Sequence, residues 1–152
     1  MRNKGIIIDL DGTLSDSSHR KHYVERPKGE KKDFDSFYKK CGGDPVHKWC
    51  LEILNRFKRD HDIWLVSGRP EAYRGITLTW LGEHGVFKGD YIDLLMRKDG
   101  NYEQDYLLKK RIYEKQIAPH SDIIFCVDDR KQVVDMWRSL GLVCLQCADG
   151  DF

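Results

Sequence analysis

The chain has 152 residues, 40% of them hydrophobic and 34% charged, with a formal net charge of +1. That length builds one domain with a real core and excludes two large ones, and the near-neutral balance demands no polyanionic partner for the chain as a whole. No apolar run approaches the roughly 20 residues of a membrane span and no secretory-type apolar core opens the sequence, so a cytoplasmic protein without membrane contact is expected.

Five short apolar runs, Gly5 to Ile8, Ile63 to Val66, Tyr91 to Leu95, Ile123 to Val127 and Leu142 to Gln146, are separated mostly by helix-like segments. This βαβ rhythm predicts an α/β fold with a doubly wound, five-stranded parallel sheet of the Rossmann-like kind. The first run leads directly into Asp9-Leu10-Asp11-Gly12-Thr13. In open parallel sheets ligands bind beyond the carboxyl ends of the strands, and acids at i and i+2 leave an extended backbone on the same side. One of them can attack while the other transfers protons. Gly12 permits a tight turn, and Thr13 offers a hydroxyl and a main-chain N–H toward an anion.

Leu14 to Asp44 is a stretch of about thirty residues without a strong pattern, long enough to predict a functional loop or small cap inserted after the first strand. Phe34, Phe37 and Tyr38 are placed to pin one short helix of it down. Between His19 and Lys48 there are nine Lys or Arg against five Asp or Glu. A solvated surface and a nucleic-acid-facing lobe account for that excess equally well.

Val46, Trp49, Ile53, Leu54 and Phe57 recur at helical spacing, as do Tyr73, Ile76, Trp80 and Leu81, and later Val133, Val134, Trp137 and Leu140. Between the first two of these stripes, Trp64-Leu65-Val66 leads into Ser67-Gly68-Arg69. A hydroxyl, main-chain amides and a guanidinium at a strand end can hold a phosphoryl group, with Arg69 binding in bidentate fashion. A helix is predicted from about Tyr102 to Ile117, where Asp105 and Lys109 share a face. Their spacing serves an exposed salt bridge as well as a catalytic ammonium, and leaves Lys98 open as the cation.

After Ile123 to Val127 come Asp128 and Asp129. Adjacent acids repel one another unless a cation neutralises them, and with Asp9 they make an oxygen-rich set suited to Mg²⁺. The five cysteines, Cys41, Cys50, Cys126, Cys144 and Cys147, are expected to be reduced thiols. Cys144 and Cys147 form a C-x-x-C without a second pair, so no zinc site is expected.

The strand followed by Asp9-Leu10-Asp11-Gly12-Thr13, together with Ser67-Gly68-Arg69 and Asp128-Asp129, resembles the haloacid dehalogenase superfamily. Its best-known members are magnesium-dependent phosphatases with an aspartate nucleophile. A closer likeness runs through Ile117-Ala118-Pro119-His120, Val127-Asp128-Asp129-Arg130, Gln132-Val133-Val134, Met136-Trp137-Arg138 and Gly150-Asp151-Phe152. These segments, with Asp9, Asp11, Arg20, Ser67, Arg69, Asp105 and Lys109, resemble the phosphatase domains of phage polynucleotide kinase-phosphatases. The likeness covers nearly the whole chain and is weakest from Lys21 to Lys48.

The resemblance implies a single phosphatase domain over residues 1–152 with a basic cap insertion at 14–44, and it selects Lys109 over Lys98. It implies a polynucleotide 3′-phosphatase acting on DNA or RNA ends. Asp9, Asp11, Ser67 and Lys109 would be catalytic, and Thr13, Arg20, Gly68 and Arg69 would bind substrate. Asp105 would orient Lys109, and Asp9, Asp11, Asp128 and Asp129 would ligate Mg²⁺. No Gly-x-x-x-x-Gly-Lys-Ser/Thr loop occurs, so a 5′-kinase or ligase partner would be a fused or separate unit. Two other readings keep the same residues: a phosphatase of nucleotides or other small phosphate esters, and a non-catalytic module that binds nucleic-acid ends.

Overall fold

The computed structural model describes residues 2–150, so Asp151 and Phe152 of the closing motif lie outside the described residues. Five strands, β1 (Asn3–Asp9), β2 (Asp62–Pro70), β3 (Asp93–Arg97), β4 (Ser121–Arg130) and β5 (Cys144–Gly150), form one sheet in the order β3-β2-β1-β4-β5. Every pairing is parallel. The chain starts in the middle of the sheet, winds outward through β2 and β3, then crosses to β4 and β5. The carboxyl ends of β1, β2 and β4 therefore lie side by side at the point where the strand order reverses, which is where this class of sheet places its ligands.

Alternation along the central strand explains why both faces are covered. Ile6 and Ile8 join Leu65 in one apolar layer with Leu54 of α2 (Lys48–Phe57) and Trp80 of α3 (Arg74–Glu83). Ile7 points the other way, into a layer with Trp64, Val66, Leu108 and Ile112 of α4 (Asp105–Ile112), and Val134 and Trp137 of α5 (Lys131–Ser139). A parallel strand buried on both faces reads as a continuous apolar run, and β1 does so.

Several expected boundaries move. β2 runs on to Pro70 and β4 to Arg130, so Ser67-Gly68-Arg69 and Asp128-Asp129 fall within the last residues of their strands, and β5 spans Cys144–Gly150. β3 begins at Asp93 and carries Arg97 at its end, two residues beyond the expected stop. The helix expected from Tyr102 begins at Asp105, because the preceding loop is held in another conformation. Arg97 Nη1 donates to the Glu103 carbonyl at 2.6 Å, and the Asn101 side chain accepts from the Glu103 N–H at 2.9 Å. Beyond Ile112 the helix loosens into a π-helical turn, Tyr113–Ile117, ahead of Pro119.

The segment after β1 carries a 3₁₀ turn at Ser18–Tyr23, a short helix α1 (Phe34–Lys39) and another 3₁₀ turn at Cys41–Gly43. α1 holds the three aromatic residues expected to anchor it, and Asp33 caps it by accepting from Ser36 N–H. Trp80 Nε1 donates to the Asp44 carbonyl at 2.8 Å, fastening the end of the segment to α3. All five cysteines are free thiols. Among the described residues no helix is long and apolar enough to cross a membrane.

Candidate active site

Asp9 is the last residue of β1, and the chain turns immediately after it. Gly12 adopts φ +81°, Thr13 N–H donates to the Leu10 carbonyl at 2.9 Å, and Ser15 N–H donates to the same carbonyl at 3.0 Å. A side chain at Gly12 would be strained by that φ and would overlap the Asp129 carboxylate. The backbone is thus wrapped closely around the acids. Both Asp9 oxygens are engaged: Thr13 Oγ1 donates to Oδ2 at 2.9 Å and Lys109 Nζ to Oδ1 at 2.9 Å.

Lys109, from α4, reaches into a ring of carboxylates. Its ammonium also lies 3.1 Å from Asp128 and 3.4 Å from Asp105. Burial works against its charge, but Asp105, Asp128 and Asp9 more than offset that and raise its pKa well above the ordinary value. Asp9, Asp128 and Asp129 each present an oxygen within 4.8 Å of the others, and all three are buried. Burial, followed by repulsion from Asp128, pushes Asp9 well above the usual carboxylate range. Burial likewise lifts Asp128 to about 6, with repulsion from Asp129 adding to it.

This donor set fits a hard divalent cation. Three clustered carboxylate oxygens are the ligands Mg²⁺ prefers, and one lysine does not neutralise three buried acids.

Asp11 is placed differently from the expectation that it is a fourth metal ligand. Its carboxylate does not join the cluster; two guanidiniums hold it instead. Arg69 Nη2 donates to Oδ1 at 2.7 Å, Arg69 Nε bridges both oxygens at 3.2 Å, and Arg20 Nη2 also donates to Oδ1. Burial acts to raise the Asp11 pKa, but Arg69 and Arg20 overcome it and hold the carboxyl well below the usual range.

The same contacts engage Arg20 and Arg69, the residues expected to grip phosphate. Both are fully buried, and their donors are committed within the protein. Arg20 Nε donates to Asp44 at 2.8 Å and Nη1 to the Phe37 carbonyl at 3.2 Å, while Arg69 Nη1 donates to Thr77 at 3.0 Å. Neither arginine lines the open cavity, nor do Thr13 and Ser67. Thr13 turns its hydroxyl to the Asp9 carboxylate and its N–H to the Leu10 carbonyl within the turn after β1. Ser67 Oγ accepts from the Arg69 N–H at 3.1 Å.

Asp9, Asp11, Gly68, Asp105, Lys109 and the Asp128-Asp129 pair do open onto one cavity of about 760 Å³. Lys98 lines it as well. Three residues of the site were absent from the sequence-based set. Asp44 is buried at the end of the inserted segment, where it accepts from Arg20 and lies 2.7 Å from His19 Nε2. Arg97 donates to the Gly68 carbonyl at 2.9 Å and lies 3.6 Å from Asp105, and Arg130 lies 3.8 Å from Asp105. Arg97 and Arg130 both close strands, the signal that marked Asp9; nothing local marks Asp44.

The chain is similar to known proteins over nearly its whole length. The family model described as "Polynucleotide kinase PNKP phosphatase domain" matches residues 3–152. A putative bifunctional polynucleotide kinase/RNA ligase of Autographa californica nuclear polyhedrosis virus is 27% identical over 139 residues, covering 90% of this chain and 18% of the viral protein. A chain in a solved Pnkp1/Rnl/Hen1 complex is 33% identical with a TM-score of 0.83, over 99% of this chain and 48% of that one. A class C acid phosphatase from Bacillus anthracis, solved with tungstate bound, shares the fold at 19% identity and a TM-score of 0.69, over 100% of this chain and 69% of that one. This chain therefore spans less than half the length of its two nucleic-acid-related relatives. It belongs to the family of polynucleotide kinase PNKP phosphatase domains, within the haloacid dehalogenase hydrolases.

Proposed function

We propose that this domain is a Mg²⁺-dependent polynucleotide 3′-phosphatase that works through an aspartyl phosphate. The observation that carries the reading is Asp9 at the floor of the cavity, with Lys109 and the Asp128-Asp129 pair around it and Asp11 alongside, clamped by arginines. Asp9 attacks phosphorus in line, forming the acyl phosphate bond as the bond from phosphorus to the leaving 3′-oxygen breaks. Asp11 donates a proton to that oxygen. In the second step Asp11 takes a proton from water, whose oxygen attacks phosphorus, releasing inorganic phosphate and regenerating Asp9. Two easier displacements replace one difficult one.

The paired arginines hold Asp11 ionised in the free protein, the form that takes a proton from water in the second step. For the first step Asp11 takes its proton from solvent before passing it to the leaving oxygen. Asp9, Asp128 and Asp129 would hold Mg²⁺, which supplies positive charge for the crowded oxygens of the transition state. Lys109 supplies more from the opposite partner of the same carboxylates. Asp105 positions Lys109, and Ser67 supports the end of β2 that carries Gly68.

The inserted segment 14–44 acts as a small cap, its basic and aromatic residues facing the nucleic acid. The printed names of the relatives, a kinase/ligase and an RNA repair complex, support a place in nucleic-acid end repair with a fused or separate 5′-kinase or ligase. The test is phosphate release with Mg²⁺ from an oligonucleotide 3′-phosphate, beside the 5′-phosphate isomer and a mononucleotide 3′-phosphate. Selective release from the first, abolished by Asp9→Asn, is the expected result. Preference for the mononucleotide would move the assignment to small phosphate esters, and release undiminished in Asp9→Asn would overturn the mechanism.

A further inference from the structure

Hydrolysing a phosphate ester does not require the aromatic wall that lines the same cavity as Asp9. Phe34 and Tyr38, one turn apart on α1, stack with ring centroids 6.1 Å apart, and Tyr38 continues onto Tyr73 at 5.3 Å. Phe37 meets Tyr38 edge-on at 5.2 Å. All four rings line the active-site cavity. The wall is held in place before any ligand arrives, because Tyr73 donates its hydroxyl to Asp35 of α1 at 2.6 Å.

A second aromatic element comes from the loop between β3 and α4. Tyr102 lines the same cavity yet is 94% exposed, and Phe34 at the outer end of the wall is 48% exposed. Exposed rings contribute little to folding, since stabilisation follows the apolar area removed from water. One such ring on a surface needs no explanation, but two at the mouth of one catalytic cavity offer unspent apolar area to a ligand. Lys32, whose Nζ lies 5.9 Å from the Phe34 ring, and Lys98 add positive charge at the same mouth. Flat apolar faces beside cations match a nucleobase joined to a phosphate backbone.

We propose that the 3′-terminal nucleobase of an unpaired strand stacks against Phe34 and Tyr102, with Lys32 and Lys98 taking the adjoining internucleotide phosphate. A cavity of about 760 Å³ falls among those that enclose one small molecule, and a paired terminus would bring a second strand with it. The inference rests on the polynucleotide reading above and adds that the base itself is gripped, in single-stranded form.

The experiment compares kcat/KM for a single-stranded 3′-phosphorylated oligonucleotide with that for the same strand ending in an abasic nucleotide, and with a blunt duplex end. Wild-type protein is expected to prefer the base-bearing single strand by about 5- to 100-fold, the range that aromatic stacking on one base supports. In Phe34→Ala and Tyr102→Ala that preference falls toward one, while Tyr102→Phe retains it. Equal wild-type rates with and without the terminal base, or a duplex end processed as well as the single strand, would overturn this inference and leave the 3′-phosphatase reading standing. Hydrolysis of glycerol phosphate without release from any oligonucleotide would overturn both. The wild-type comparison decides the question even where a variant fails to fold.

Discussion

Lys109 Nζ lies 2.9 Å from Asp9 Oδ1, joining two residues that are 100 positions apart in the chain. The lysine lends charge to the proposed nucleophile and neutralises part of the cluster behind it. Lys109→Met should cut kcat by about 10²- to 10³-fold, the scale of losing one preorganised charge-stabilising donor. It should also destabilise the metal-free protein by about 3 kcal/mol, because buried carboxylates lose their partner. Thermal melts with and without Mg²⁺ check this: the cation should recover part of the stability but not the turnover.

The Asp11 carboxylate between Arg20 and Arg69 makes a pH-dependent contribution to stability. Its folded pKa lies below the unfolded value of about 3.9, so its stabilisation is complete above that pH. It is lost as pH falls toward the folded value. Asp11→Asn should therefore be less stable than wild type by about 3 kcal/mol at pH 7, with the gap narrowing below pH 4. Urea unfolding across that range measures the gap; a constant difference would show that the paired arginines do not stabilise the ionised form.

Asp129 adds a third buried negative charge beside Asp9 and Asp128. Removing it should help the metal-free fold and harm the metal complex. At pH 8 the Asp129→Asn protein is expected to melt above wild type in chelator, by an amount equivalent to about 1 kcal/mol, and to gain less from added Mg²⁺. Lower melting in chelator would mean that mutual repulsion is already compensated inside the protein.

Gly68 leaves room that Asp105 occupies. A methyl group there would overlap Asp105 Oδ1, the mobile end of a side chain, so Gly68→Ala should fold while Asp105 swings aside. Lys109 would then lose its contact at 3.4 Å, and Arg97 its neighbour at 3.6 Å. A displacement of about 1 Å near reacting groups costs on the order of 10²-fold in rate. Steady-state kinetics should show the loss in kcat, with the melting temperature nearly unchanged; an equal rate would show that Asp105 does not position the lysine.

The acids were legible because strand ends are legible. Apolar runs end abruptly at Asp9 and Asp128, and a parallel sheet gathers such ends in one place whatever the details of packing. The helix start was less so: Tyr102 fits a helical pattern, but Arg97 and Asn101 capture Glu103 first and delay the helix to Asp105. Local propensity gave way there to hydrogen bonds from a neighbouring strand end.

By itself the sequence determined the strands of the parallel sheet and the acids at their ends, since period and termination are properties of adjacent residues. Which charge meets which was decided only by the tertiary structure. Arg20 and Arg69 suit phosphate and carboxylate equally well by their chemistry. Folding brings them to Asp11, which lies 58 positions from Arg69, and brings Asp44 to Arg20 across 24. A guanidinium binds the acid within its reach, and reach is set by the path of the whole chain.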